Sequence, residues 1–288
     1  MQTVVESLLE ACMHTMRMRS FSSAYARTFE VVKADSPELK RRVYNLRYRV
    51  YCEENGFEKP ADTEMEFDEF DKRATHFLLI HKASGQDAGT VRLVPCAPDA
   101  LLQSFPIQQH CDHPFLEIPE RLCHIGEISR FCMAPEFRRR PEDTQLLSSY
   151  SMQDSADGHH EGMITFVRRK IAYAPAGLLR AVLEEALRQD IGDVLWMVEA
   201  SHVPSLKAIG LPIHILGPRI DYHGGSQPLI FNIKTALDAM HAAQPYCWDI
   251  ITDSGRLQDV ADKLQLNRWQ DRILDPVCRE KILEKLAH

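Results

Sequence analysis

The 288-residue chain has no long apolar run. Its unbroken aliphatic and aromatic stretches, such as Val194 to Val198, fall far short of the ~18 residues a bilayer-spanning helix needs. The first twenty residues carry Glu6, Glu10, Arg17 and Arg19 and predict no secretion signal. A basic excess is missing too. With 41 acidic against 34 basic residues, the net charge of −7 excludes a general nucleic-acid binder, which needs a basic face against phosphate. The eight cysteines form no CxxC pair, so neither a disulfide framework nor a zinc-ribbon spacing is present. They read as reduced thiols in a cytoplasmic protein. No internal repeat or low-complexity tract interrupts the chain. What remains, with 44% apolar and 26% charged residues, is the composition of a folded globular protein.

The apolar pattern divides the chain into three parts. Over residues 1–26, Val5, Leu8, Leu9, Cys12, Met13 and Met16 recur at three and four, which predicts an N-terminal helical extension. That helix packs on the body or on a second subunit; peripheral membrane contact is the alternative. Residues 27–235 predict a mixed α/β domain. Residues 28–34 alternate as a strand, and Ser36-Pro37-Glu38 starts a helix with a cap, a first-turn proline and an acid. Leu39, Val43, Leu46 and Val50 form its buried stripe, and Arg47 and Tyr51 share a neighbouring face. Asn55-Gly56 ends it. The stretch Glu53 to Asp71, with nine acids and one lysine, reads as a solvated loop. Thr75–Lys82 and Ala88–Pro95 predict a hairpin, with a short helical segment over 99–109. His124–Met133 predicts a strand with Ile125, Glu127, Ser129 and Phe131 on one face and Gly126, Ile128, Arg130 and Cys132 on the other. A polar insertion follows over about 136–173. Helix Ala176–Gln189, strand Val194–Glu199, helix Pro204–Ile209 and strands near 213–222 and 228–233 complete the domain, and 236–288 predict a C-terminal helical extension.

Five pieces come in fixed order: Leu46-Arg47-Tyr48-Arg49-Val50-Tyr51, Gly56-Phe57, Glu66-Phe67-Asp68-Glu69-Phe70-Asp71, Val91-Arg92-Leu93 and Gly126-Glu127-Ile128-Ser129-Arg130-Phe131. Together they resemble the signature of the acyl-homoserine-lactone (autoinducer) synthases and of their relatives, the long-chain N-acyl amino acid synthases. The run Tyr44 to Phe57 looks most like the PEP-CTERM/exosortase-associated group of the latter. The resemblance is clear over 28–134, looser over 176–233, and absent at both ends. It implies a GNAT-like acyl-CoA N-acyltransferase fold, a mixed central sheet flanked by helices. It also implies roles: Arg47 and Tyr51 at the mouth of the site, Asp68 and Asp71 ordering a loop that engages the amine, and Arg92 pairing with them. Glu127 and Arg130 complete the polar cluster as candidate catalytic residues, with Ser129 and Phe131 beside them toward the substrate. Phe57 stands where the family usually has tryptophan; the apolar wall is kept and an indole donor is lost.

The chemistry makes sense of these residues. An amine attacking a thioester must lose a proton, and a glutamate can take it if its surroundings raise its pKa toward neutrality. Backbone amides of a splayed strand near 130–133 can hold the oxyanion. No covalent acyl-enzyme is required, which leaves Cys123 and Cys132 as bystanders. No metal or cofactor is expected: His110-Cys111-Asp112-His113 lacks the partner spacing of a zinc site. Asp68, Asp71 and Arg92 also fit a purely structural ion-pair lattice, and Glu127 beside Arg130 a buried structural pair.

Where coenzyme-A-dependent GNAT enzymes carry a glycine-rich loop, this chain reads Pro135-Glu136-Phe137-Arg138-Arg139-Arg140-Pro141. Without glycines the usual nest for a pyrophosphate is missing. An acyl carrier protein is the expected donor, met by two basic runs, Arg138–Arg140 and Arg168-Arg169-Lys170. The expected reaction moves a long-chain acyl group from that carrier to the amine of an amino acid. A homoserine-lactone synthase using S-adenosylmethionine, or a non-catalytic acyl-binding accessory protein, are the alternatives.

Overall fold

In the computed structural model, residues 23, 25–138 and 174–264 are described. The period-two segments pair into one seven-stranded sheet, ordered β1-β2-β3-β4-β5-β7-β6. Its strands are β1 (Phe29–Lys33), β2 (Thr75–His81), β3 (Gln86–Pro95), β4 (Ile125–Met133), β5 (Asp193–Glu199), β6 (His214–Ile215) and β7 (Ser226–Asn232). All neighbours run antiparallel except β4 and β5. β2 is buried from His76 to Leu79 and β3 from Ala88 to Val94, so both faces there are covered. Helices Pro37–Tyr48 and Ala174–Arg188 pack against these strands and supply the cover.

Three helices after β7, Ile233–Ala243, Pro245–Thr252 and Arg256–Lys263, add Leu237, Ile250 and Leu257 to the same core. At the other end, the Tyr25 hydroxyl donates to the Ala174 carbonyl (2.9 Å) and accepts from Gly177 N–H (3.0 Å). A Cβ at Gly177 would overlap that hydroxyl, so glycine permits the contact. A second, smaller core lies under the 3₁₀ turns of residues 101–117, with Phe105, Ile107, Phe115, Ile125, Leu195 and Ile230.

The structure departs from sequence expectation at three places. The first helix does not stay α to its end: Arg49–Glu54 form a π turn in which Asn55 N–H reaches the Val50 carbonyl, and Gly56 then takes φ +62°. The strand expected over 213–222 shrinks to His214–Ile215 and one bridge, Ile220 to Ser226, because Gly217-Pro218 interrupts the ladder. In β4 the alternation fails at Arg130. Thr90 faces Cys132 while Arg92 faces Ser129, so Arg130 and Phe131 together oppose Val91, and Arg130 sits at φ +51°. This is a β-bulge, and it re-aims one side chain. The N-terminal helix, the 139–173 part of the insertion and the chain beyond 264 lie outside the described residues.

Candidate active site

β4 and β5 are hydrogen-bonded only from Ile125 to Ile128 against Asp193 to Trp196, although both strands continue. Beyond that point they diverge beside the bulge, and the Phe131 and Trp196 rings lie 5.5 Å apart at the divergence. Backbone groups there are released from the β4–β5 ladder.

Next to the bulge, three guanidinium groups interlock with four carboxylates. Arg47 binds Glu66 through Nε and Asp71 through Nη1 (2.8 Å) and Nη2 (3.1 Å). Arg92 reaches Asp68 (2.6 and 2.7 Å) and Asp71, and its Nε donates to Ser129 Oγ (2.8 Å). Arg130 reaches Glu66 (2.8 Å), Glu58 (3.3 Å) and Asp68 (3.4 Å), and its Nη1 donates to Tyr222 Oη (3.2 Å). The loop is built to present these acids. Asp68 caps the 3₁₀ turn Glu69–Lys72 by accepting from Phe70 N–H, and Asp71 accepts from Asp68 N–H (2.7 Å). Burial would raise both buried acids, but the arginines outweigh it: Arg47 and Arg130 hold Glu66 down at about 2, and Arg47 and Arg92 hold Asp71 well below the usual range. Glu66 and Asp71 are fixed as charged.

Glu127, two residues before Ser129, stands apart. It is 1% exposed, and Ile107 N–H donates to its Oε2 (2.8 Å). Burial pushes its carboxyl up to about 8, against the weaker pull of that amide and of Arg92 and Arg130. A carboxyl in that range can exchange a proton near neutral pH.

An aromatic rim borders the lattice. Phe57 stacks on His223 (5.3 Å, 15° between planes), Tyr222 on His110 (4.1 Å), and Arg130 lies over the Tyr51 ring (5.3 Å). His223 Nε2 meets Glu58 Oε1 at 2.8 Å. The carbonyl of Tyr51, inside the π turn, accepts from Phe57 N–H (2.7 Å) and Glu58 N–H (3.1 Å), so the turn places both walls.

The structure thus brings Arg47, Tyr51, Phe57, Asp68, Asp71, Arg92, Ser129 and Arg130 into one connected site. Three expectations are corrected. Arg47 is not at the mouth; it is fully buried, with its fork filled by Glu66 and Asp71. Arg130 is not turned away from Ser129, because the bulge swings it onto Asp68, which Arg92 also holds, and its ion pairs run to Glu58, Glu66 and Asp68 rather than to Glu127. The run Glu53 to Asp71 is not simply solvated either: Glu66 and Asp71 are buried ligands of arginine. Cys132 is buried and its thiol is pushed up to about 12, unsuited to nucleophilic attack. Arg138 pairs with Glu54 (2.6 and 2.8 Å); Arg139, Arg140, Arg168, Arg169 and Lys170 lie outside the described residues. Among the described residues no cluster of His, Cys, Asp and Glu is arranged to hold a metal, and Cys111 is part of the second core.

Sequence reasoning assigns no role to Glu58, Glu66, Tyr222 or His223. The two glutamates are hidden in an acid-rich run. The other two precede Gly224-Gly225, a turn signal that marks a bend without marking a site.

Residues 46–148 match the family model described as an acetyltransferase (GNAT) domain. Over 183 residues, 63% of this chain, the sequence is 27% identical to an acyl-homoserine-lactone synthase of Aeromonas salmonicida, covering 73% of that protein. Among solved structures, TofI in a ternary complex with an inhibitor and MTA superposes with a TM-score of 0.51 at 21% identity, covering 76% of this chain and 99% of that one. FeeM, an N-acyl amino acid synthase from uncultured soil microbes, gives a TM-score of 0.49 at 15% identity, covering 75% and 97%. Fold, sequence relatives and site chemistry agree: the chain is an acyltransferase of the GNAT fold, related to the acyl-homoserine-lactone synthases.

Proposed function

We propose that the chain is an N-acyl amino acid synthase, moving a long-chain fatty acyl group from acyl carrier protein to the α-amine of an amino acid in the cytoplasm. The observation that carries the reading is Glu127, a buried carboxyl with one amide partner and a pKa of about 8, beside a cleft where β4 and β5 separate. The thioester enters that cleft, the amine attacks its carbonyl, and Glu127 takes a proton from nitrogen as the C–N bond forms. Backbone amides of the bulge face the developing oxyanion. Asp68, more exposed than Glu66 and Asp71, attracts the incoming ammonium, while Arg92 and Arg130 hold it in place. Phe131 and Trp196 line the path of the acyl chain. The glycine-free segment after β4 favours a carrier protein over coenzyme A. We assign the catalytic domain to 27–235, with 1–26 and 236–288 as extensions, the latter sharing its core through Leu237, Ile250 and Leu257. The Tyr44 to Phe57 run supports a place beside the PEP-CTERM/exosortase-associated enzymes.

A second reading, an acyl-homoserine-lactone synthase, is favoured by the Aeromonas relative. Mass spectrometry of lipids from cells expressing the chain separates the two. N-acyl amino acids support the first reading, and N-acyl homoserine lactones replace it with the second. Purified protein that releases no thiol from acyl carrier protein with any amino acid or with S-adenosylmethionine would sink both.

A further inference from the structure

Acylation of an ammonium group leaves one proton over. Nitrogen goes from three hydrogens to one as the N–C bond forms and the C–S bond breaks; sulfur takes up one of the two protons lost, and the other must leave. Glu127 suits the internal transfer from nitrogen to sulfur, but at 1% exposure it lies away from the solvent boundary. An exit needs a second group, at the solvent boundary and next to the lattice that receives the ammonium.

Resting on the N-acyl amino acid synthase reading, we infer that the His223–Glu58 pair at the rim takes the first proton from the acceptor's ammonium and releases it to solvent. The imidazole Nε2 is 2.8 Å from Glu58 Oε1, and the two side chains are 12% and 34% exposed. Glu58 also meets Arg130 (3.3 Å), so the pair is continuous with the lattice that holds Asp68. The ring is clamped between Phe57 and Tyr222, with Tyr51 on a third side. Its backbone is held at φ +47°, a conformation that non-glycine residues seldom adopt, ahead of Gly224 and Gly225 at φ +82° and +94°. Such strain at a half-buried imidazole is the kind of feature that a site maintains.

The charged and titratable groups facing the ring are Glu58 on the loop after the π turn, Tyr51 within it, Arg130 on β4, Tyr222 on its own turn, and Glu66 behind Arg130. Burial first, and Arg130 second, hold the imidazole below its ordinary value; Glu58 and Glu66 oppose them. The neutral ring is therefore available as an acceptor at neutral pH. It returns the proton to water through its exposed edge, regenerating the neutral form for the next turnover.

The test uses the full chain, an acyl carrier protein thioester and thiol release with a panel of amino acids. The variants are His223→Asn, since asparagine tolerates the left-handed backbone, and Glu58→Gln, which leaves that backbone untouched. For each, the rate should fall about tenfold or more at about pH 6.5, and the loss should shrink as the amine arrives already deprotonated. The residual rate should also rise with imidazole buffer concentration at constant ionic strength, which a structural role would not produce. Variants matching the parent across pH, or losing activity equally at every pH without buffer dependence, overturn the inference while the parent's turnover keeps the proposed function. A parent inactive with every amino acid overturns both.

Discussion

Glu66 and Glu127 are both buried glutamates of one site, and burial alone would raise both; yet Arg47 and Arg130 hold the first at about 2, while the second climbs to about 8. The difference is in what each can touch. Glu66 lies between two guanidinium groups, whereas Glu127 accepts from the Ile107 amide in an apolar niche with Ile125 and Leu195. Two different sets of neighbours within one site thus separate a group locked as an ion from one free to exchange a proton. The proposed function gives the lattice the geometry and Glu127 the proton transfer.

Glu127→Gln should break the comparison most severely. General-base contributions of order 10²–10⁴ in rate are expected to vanish. In single-turnover thiol release the parent rate should rise with pH through about 8. The variant should lack that rise; a variant that keeps it assigns the base elsewhere.

Asp71→Asn attacks the other side. Asp71 bridges Arg47 and Arg92 in a buried setting, so losing its charge should cost ~3–5 kcal/mol in chemical denaturation. Asp68, with a quarter of its side chain exposed, should cost less as Asp68→Asn, because the carboxamide oxygen still accepts from Phe70 N–H and only the charge facing Arg92 and Arg130 is lost, while activity falls strongly. Near-parental turnover in Asp68→Asn would remove it from the acceptor site.

The melting temperature should report the two carboxylates with opposite signs. Glu127 has a folded value above its ordinary 4.5, so its contribution is full below about 4.5 and is lost as pH rises through about 8. Glu66 has a lowered folded value, so its contribution is present above about 4.5 and is lost as pH falls toward about 2. Glu127→Gln should abolish the decline between about pH 4.5 and about 8 and leave the one below about 4.5.

The smallest effect belongs to Arg138→Ala. Its pair with Glu54 is about a third exposed on each side, worth ~0.2–1 kcal/mol. A large loss of carrier-protein use in this single variant, absent with acyl-pantetheine as donor, would promote Arg138 from surface pair to docking contact.

The parts of the site that follow a period or a charge pairing were legible in the sequence. The β2–β3 hairpin, the first half of β4 and, through the family resemblance, the pairing of Asp68 and Asp71 with Arg92 match the structure. The parts that break a period were not. A bulge at Arg130 has no glycine to announce it, and a simple alternation therefore puts that side chain on the wrong face. Glu58 and Glu66 are two acids among nine, and only tertiary contact with Arg130 sets them apart. His223 is close to the site only because the β5–β7 pairing carries its turn back over Glu58.

The π turn at Arg49–Glu54 behaves as an α-helix with one residue inserted. Deleting a single residue there would restore the ordinary ladder and rotate the downstream chain by roughly 100° about the helix axis. Tyr51 would then point away from Arg130, and its carbonyl would no longer anchor Phe57 and Glu58. The rim of the site is therefore encoded less by which residues occupy this stretch than by how many there are, so a length change there is a harsher mutation than any substitution of its side chains.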